Sequence, residues 1–282
     1  MNGGITPPRL SPTRQQGFLL PRWRVGLRRG GVVETVEGPA MSSNGEYLRA
    51  TKHPWPCLLF LLPLLAAYEL GVDRLSGGQP DALRNGADSW LRQGFAAVGL
   101  RQHYWAPALF LGVLAAWNYA RREDRPSDVL SVLSGMGLES IGFALGLWGI
   151  SRGLGPLVDY LGLELNTGPS GNPAVGQLVT FLGAGIYEEL LFRLLLFSGL
   201  LALLRRAGTS AALAVTMAAL VSATVFSAAH HVGPYGEPFD GYNFLFRTIA
   251  GLYFAALYQF RGFGIAVGAH ACYDVVVGVV VG

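Results

Sequence analysis

Residues 174–204 carry the stretch that decides the fold of this protein, and they read AVGQLVTFLGAGIYEELLFRLLLFSGLLALL. Only Glu188, Glu189 and Arg193 are charged in this run. About 20 consecutive apolar residues are enough to cross a bilayer, so the stretch predicts a membrane span plus a shorter helical piece. Gly183 and Gly185 mark the predicted break between them.

The composition of the whole chain agrees with a membrane protein. Of the 282 residues, 51% are hydrophobic and 14% are charged, and the mean hydropathy is +0.37. A soluble domain carries about 25% charged residues, so an ordinary soluble globule and a disordered chain are both excluded. The two cysteines, Cys57 and Cys272, lie in apolar stretches and cannot build a disulfide framework or a cysteine-rich zinc site.

Other apolar runs repeat the pattern of the first one along the chain. They predict an all-α, polytopic bundle of about seven to eight transmembrane helices. Residues 81–99 are mixed in polarity and predict a helix that lies on the membrane surface. The candidate spans are 54–72, 104–120, 129–150, 174–204, 211–229, 244–260 and 263–282.

The basic residues are distributed unevenly and predict the orientation in the membrane. Residues 1–52 hold eight Lys and Arg against three acidic residues. With the N-terminus in the cytoplasm, fourteen Lys and Arg fall on the inner side and five on the outer side. The positive-inside rule therefore predicts a cytoplasmic N-terminus. The predicted location is the plasma (inner) membrane, with the lipid bilayer as a partner. The positive charge is confined to a basic tail, so no nucleic-acid partner is predicted.

The chain divides into three predicted parts. Residues 1–52 form a basic, disordered cytoplasmic tail, and Met41 offers a second start that would leave residues 1–40 outside the protein. Residues 53–173 form N-terminal transmembrane helices and the surface helix. Residues 174–282 form a helix bundle that holds most of the ionisable groups predicted within the spans.

The first group of polar residues in these spans is Tyr187-Glu188-Glu189-Leu190-Leu191-Phe192-Arg193. Ionisable side chains within a membrane are costly, which makes each a candidate for function. Glu189 and Arg193 are four residues apart on a helix and can pair. Glu188 points about 100° away from Glu189 around the helix and has no partner on it. A carboxylate that is not tied up in an ion pair is suited to act as a general base. The alternative is a structural ion pair with a spare carboxylate at a helix end.

Two more groups lie on later spans. Phe226-Ser227-Ala228-Ala229-His230-His231 places Phe226 and His230 on one helix face, and His230 alone could simply hydrogen-bond a neighbouring helix. His270-Ala271-Cys272-Tyr273-Asp274 places His270 and Asp274 on one face, either in a catalytic cavity or as a buried structural pair. Cys272 projects to the opposite side and is predicted to be a packing residue.

Together the three groups, Glu188-Glu189-x-x-x-Arg193, Phe226-x-x-x-His230 and His270-x-x-x-Asp274, resemble the motifs of the CAAX-protease and bacteriocin-processing family. Its members are membrane-embedded glutamic endopeptidases, also called type II CAAX prenyl endopeptidases or lysostaphin-resistance-protein-A-like proteins. The resemblance covers about residues 174–280. It implies an intramembrane hydrolase that needs no cofactor and acts on a peptide or protein substrate at the membrane.

The resemblance also implies roles for the motif residues. Glu188 with His230 would hold and activate the attacking water, and Arg193 with Glu189 would support the structure or tune Glu188. His270 with the residue at position 274 would stabilise the oxyanion. The family more often has Asn at this position; Asp274 can either be protonated and donate as Asn does, or be ionised and orient His270.

Three alternatives remain open from the sequence. Glu188, His230 and His270 have the side-chain types of a catalytic zinc site, although no H-E-x-x-H helix is present. Gly168-Pro169-Ser170-Gly171 matches a short motif of rhomboid-type serine proteases, but Gly171, Asn172 and Pro173 indicate an exposed loop. The third alternative is a non-catalytic immunity, scaffold or transport protein on the same fold.

Overall fold

The protein is a helical bundle in a computed structural model that describes residues 43–161, 175–233 and 236–281. Every regular element in these ranges is helical. The predicted all-α class is therefore confirmed. The α-helices are α1 (Ser43–Ala50), α2 (Pro54–Leu75), α3 (Gly86–Ala97), α4 (Trp105–Ala120), α5 (Val129–Tyr160), α6 (Val175–Gly183), α7 (Ser198–Arg206), α8 (Ala211–Ala229), α9 (Gly241–Arg261) and α10 (Phe263–Val275).

Three further stretches have the wider turn of a π-helix, and two are short 3₁₀ turns. The π-helical stretches are Ala184–Glu188, Leu190–Phe197 and Val276–Val281, and the 3₁₀ turns are Pro80–Ala82 and Arg122–Asp124. The first two π-helical stretches lie between α6 and α7. The predicted break near Gly183 and Gly185 is thus a change of helix type.

Three helices in the described ranges are both long and apolar enough to cross a membrane, namely α2, α5 and α8. This count is lower than the seven to eight predicted spans. Helix α4 has 16 residues, fewer than the ~20 that a bilayer core requires. The predicted span at 174–204 is not counted because it is divided into α- and π-helical pieces. Helix α9 is not counted either, and it contains the polar residues Arg247 and Thr248.

The outer faces of the long helices are apolar, as a lipid-facing surface requires. On α5, Leu130 and Leu138 are each more than 70% exposed, and on α8 Leu213 and Leu220 are about half exposed. Apolar side chains exposed along a whole helix face are unusual in a soluble protein. Together with the apolar helix lengths, these faces identify an integral membrane protein.

Helix α10 is the most deeply buried helix, because its small residues let other helices approach closely. All residues from Phe263 to Ala271 are buried, and the helix packs against α5, α9 and α2. A Cβ atom at Gly264 would collide with Met136 of α5, and one at Gly268 would collide with Ser140. Small residues commonly mark close helix contacts in membranes.

A tight turn at Gly262 joins α9 to α10. Its φ of +102° lies in the left-handed region, which favours glycine, and its N–H donates to the carbonyl oxygens of Leu257 and Tyr258. The Thr51 carbonyl oxygen lies so close that a side chain at Gly262 would collide with it. This turn sends α10 back through the bundle and sets the depth of His270.

Residues 1–42, and with them most of the predicted basic tail, lie outside the described residues; Ser43–Ala50 are helical, whereas the tail was predicted to be disordered to residue 52. The helix predicted at 81–99 corresponds to α3, and its position on the membrane surface stays a prediction. In the first turn of α3, Ala87 and Asp88 are buried, because this turn packs into the bundle.

Candidate functional site

The three predicted motifs meet in the interior of the bundle. The π-helical stretch Ala184–Glu188 packs against α10, and a Cβ at Gly185 would lie 2.8 Å from the Ala271 Cβ and 2.9 Å from the Val267 carbonyl oxygen. Only a residue without a side chain allows this approach. This close approach brings Glu188 and Glu189 to the level of His270. Straight helices would not place these residues at one level.

The two neighbouring glutamates occupy different surroundings. Glu189 is fully buried, and its Oε2 lies 3.2 Å from the Arg193 Nε in the predicted ion pair. Its other oxygen, Oε1, accepts a hydrogen bond of 2.8 Å from the His270 Nδ1. Both oxygens of Glu189 therefore face partners within the protein. This geometry suits a carboxylate that supports the site better than one that reacts with substrate or water.

Arg193 is enclosed as completely as its partner. It is fully buried, and its Nη2 donates to the Gly251 carbonyl oxygen at 3.3 Å. Its guanidinium carbon lies 4.4 Å from the centre of the Phe226 ring and 5.4 Å from that of Phe254. A buried guanidinium that sits between a carboxylate and two aromatic faces holds the helices together.

Glu188 faces the other way, toward the two histidines. Its Oε2 lies 3.9 Å from the His230 Nε2 and 3.8 Å from the His270 Nε2. These separations are too long for direct hydrogen bonds, yet one water molecule can hydrogen-bond to two such atoms. The other oxygen, Oε1, accepts a hydrogen bond of 2.8 Å from the Asn85 Nδ2.

The tautomer of His230 follows from its backbone contact. Its Nδ1 lies 2.9 Å from the Phe226 carbonyl oxygen, which can only accept a hydrogen bond. Nδ1 therefore carries the proton. In the neutral ring, the Nε2 lone pair then faces Glu188, which is the arrangement that can orient a water molecule.

His270 is held by rings and carboxyl groups from several elements. It stacks on Phe254, with the ring centres 4.4 Å apart and the planes 15° from parallel. Its Nε2 lies 3.6 Å from the Asp274 Oδ2, so the predicted i,i+4 neighbours are close without a direct hydrogen bond. Asp274 keeps a side-chain exposure of 20%, while that of His270 is 6%.

A cavity of about 280 Å³ opens beside Glu188 and His230. Trp90, Phe192 and Val232 contribute apolar wall, and Asn85 and Glu237 contribute polar wall. A water molecule takes up ~30 Å³, so the space holds a water together with part of a larger ligand. In the described part of the chain, the wall includes neither His270 nor Asp274.

The structure thus brings together all six predicted site residues. Sequence reasoning missed Asn85, Trp90 and Phe254. The Asn85 position carried a readable local signal, since Asn before Gly86-Ala87-Asp88 is a favourable helix start, but nothing local indicated that its amide reaches Glu188. Phe254 and Trp90 carry no sequence signal that separates them from other apolar residues.

The other ionisable residues of the predicted spans that the structure describes have charged partners. Glu139 pairs with Arg261 at 2.8 Å, Arg247 pairs with Glu237 at 2.9 Å, and Glu69 lies 3.1 Å from Arg92. Cys272 packs at the edge of a buried apolar cluster, as predicted. Ser170 lies outside the described residues.

The fold and the site define an all-helical membrane protein with carboxylates and imidazoles gathered in its interior. Residues 170–276 match the model of a protein family described as type II CAAX prenyl endopeptidase, Rce1-like. This match agrees with the CAAX-type protease family that the three motifs resemble. Comparison with curated proteins and with solved structures gives no match.

Proposed function

We propose that the protein is an intramembrane endopeptidase in which Glu188 and His230 activate a water molecule against a peptide bond. One observation carries this proposal. Of two adjacent carboxylates, Glu189 contacts Arg193 and His270, whereas the Glu188 Oε2 lies 3.9 Å from the His230 Nε2, a separation that one water molecule in the neighbouring cavity can bridge. Paired carboxylates in unequal surroundings commonly take different roles in catalysis.

The proposed reaction is an ordinary hydrolysis. A water molecule donates one hydrogen bond to the His230 Nε2 and the other to the Glu188 Oε2, and its oxygen attacks the carbonyl carbon of the substrate. Glu188 takes the proton, and a protonated His270 donates from Nε2 to the oxyanion that forms. The C–N bond then breaks as Glu188 returns the proton to the leaving nitrogen.

Two observations support a substrate class. The cavity lies in a protein whose long helices have apolar outer faces, which supports a membrane-associated peptide or protein as the substrate. The family suggests a C-terminal CAAX segment with a prenyl group. For location we propose the plasma membrane with a cytoplasmic N-terminus, on the charge distribution described above.

The test uses the purified full chain in lipid vesicles and three synthetic peptides: a prenylated CAAX peptide, its unprenylated counterpart and a signal-like apolar peptide. Mass spectrometry of the products identifies the bond that is cleaved. His230→Ala should lower the rate by about 10²-fold or more, since general-base positioning contributes that much. Absence of cleavage of all three peptides, or full activity of His230→Ala, would contradict the proposal.

A zinc-dependent protease is the second candidate function, because Glu188, His230 and His270 converge. Among residues 43–161, 175–233 and 236–281, no group of three or more His, Cys, Asp and Glu is arranged to hold a metal ion. Incubation with a strong chelator, followed by added zinc, separates the two mechanisms. Loss and recovery of activity would favour the zinc enzyme over the water activated by Glu188.

A further inference from the structure

Helix α3 lies outside the segment that matches the protease family, yet it reaches the reacting group of the proposed site. The family match begins at residue 170, and Asn85 at the start of α3 precedes it by 85 positions. The Asn85 Nδ2 nevertheless lies 2.8 Å from the Glu188 Oε1. The N-terminal half of the chain thus contributes a polar group to the site.

The orientation of the Asn85 amide is fixed at both ends. Its Oδ1 accepts a hydrogen bond of 2.8 Å from the Ala87 backbone N–H, which can only donate. The amide nitrogen must therefore point the other way, where the Glu188 oxygen can only accept. Because Asn85 is only 7% exposed, little water competes for this contact.

A buried network of charges and hydroxyl groups holds this end of α3 in place. Asp88, which is fully buried, accepts hydrogen bonds of 2.8 Å from the Tyr68 hydroxyl and the Arg84 guanidinium. Its second oxygen accepts one of 2.7 Å from Arg92. The Tyr68 hydroxyl also accepts from the Asn85 N–H at 3.2 Å, so the network extends to the residue that contacts Glu188.

The same network is tied to the residue beside Glu188. The Tyr187 hydroxyl donates to the Glu69 Oε1 at 2.8 Å, and Arg84 and Arg92 both lie within 3.5 Å of Glu69. Helices α2 and α3 and the π-helical stretch are therefore joined by one set of contacts.

We propose that Asn85 is a positioning residue, which holds the Glu188 Oε1 so that Oε2 stays directed toward His230 and His270. A charge-assisted hydrogen bond to one carboxylate oxygen fixes the side-chain torsions of Glu188 and so the direction of its other oxygen. The proposal rests on the function proposed above for Glu188, and it assigns part of the active-site geometry to residues outside the family domain.

Asn85→Ser is the decisive variant, because serine keeps a good helix N-cap but cannot reach Glu188. We expect kcat to fall about 10- to 100-fold, as for the loss of one charge-assisted hydrogen bond, with KM changed less than threefold. Asn85→Asp also keeps the cap, but it places a second carboxylate against Glu188 and should lose more. Asn118→Ser, a matched change of a buried amide on α4, should leave kcat within about twofold.

A second measurement separates this inference from the proposed hydrolysis. The thermal midpoints of Asn85→Ser, Glu188→Ala and the double variant form a cycle that detects coupling whether or not a substrate is cleaved. Coupled side chains give a double variant whose loss is at least 2 °C smaller than the sum of the single losses, at about 2–4 °C per kcal/mol.

The outcomes are distinguishable. Additive midpoints would overturn the contact, and an Asn85→Ser variant with unchanged kcat would overturn the positioning role. A coupled cycle in a protein that cleaves no peptide would support the positioning of Glu188 while the hydrolytic function fails.

Discussion

Changing Glu188 and Glu189 to glutamine, one at a time, separates a reacting carboxylate from a supporting one. The two residues are adjacent and the substitution is the same, so each variant is the control for the other. Glu189→Gln removes the charge that faces Arg193 at 3.2 Å, in a place where both side chains have no exposed surface. In the described part of the chain, the Arg193 guanidinium would then be left with one carbonyl oxygen and two aromatic rings as partners.

The expected magnitudes follow from these contacts. Breaking a buried ion pair from one side costs about 3–5 kcal/mol. At ~2–4 °C per kcal/mol for a chain of this size, Glu189→Gln should lower the thermal midpoint by about 6 °C or more. Glu188→Gln keeps an acceptor for Asn85. Among the described residues, the charged groups that face Glu188 lie at least 3.8 Å away, so the change should cost less than about 1 kcal/mol.

Activity should show the opposite order. Glu188→Gln cannot accept a proton from water, so hydrolysis should fall by about 10²- to 10⁴-fold in a folded protein. The assay is cleavage of a fluorogenic membrane peptide by purified protein, with the thermal midpoint measured on the same sample. Near-normal turnover by Glu188→Gln, or equal destabilisation by the two variants, would refute the division of roles.

Three further outcomes test other parts of the site. Gly185→Ala should lower activity at least about tenfold with intact membrane insertion, because its Cβ would lie 2.8 Å from the Ala271 Cβ and force the helices apart; an unchanged rate would mean that this close contact is not needed. Asp274→Asn should retain activity if the protonated acid donates a hydrogen bond to the oxyanion, and should lose about 10²-fold if the ionised carboxylate orients His270. Full activity of Asp274→Ala would make the position a packing residue. Cys272→Ala and Ser170→Ala should each leave the cleavage rate within about threefold, and a large loss in the Ser170 variant would favour a serine mechanism.

The class of the fold could be predicted from the sequence, because a membrane helix is recognised from its own run of apolar residues. An apolar run such as 54–72 or 211–229 can satisfy its backbone in lipid only as a helix, whatever surrounds it. The motif spacings are local in the same way. Residues four apart lie on one helix face, so Glu189 with Arg193 and His270 with Asp274 were predictable neighbours.

The number of long apolar spans was overestimated for a physical reason. A hydropathy pattern does not reveal that Leu190–Phe197 adopts a π-helix or that α4 ends after 16 residues. Wider π-turns arise where a segment must fit its neighbours, and such turns are frequent at functional sites. Here Leu190–Phe197 packs against α8, and the preceding π-helical stretch, Ala184–Glu188, packs against α10, which approaches at Gly185.

The assembly of the site was decided by tertiary structure alone. Asn85 and Glu188 are 103 positions apart, and His270 and Glu189 are 81 apart, so no local periodicity connects them. The sequence by itself determined which side chains are polar enough to need a partner within a membrane. The packing of α3 and α10 determined which of these side chains are in contact. A buried polar group pairs with the groups that the fold places next to it, and these are distant from it along the chain.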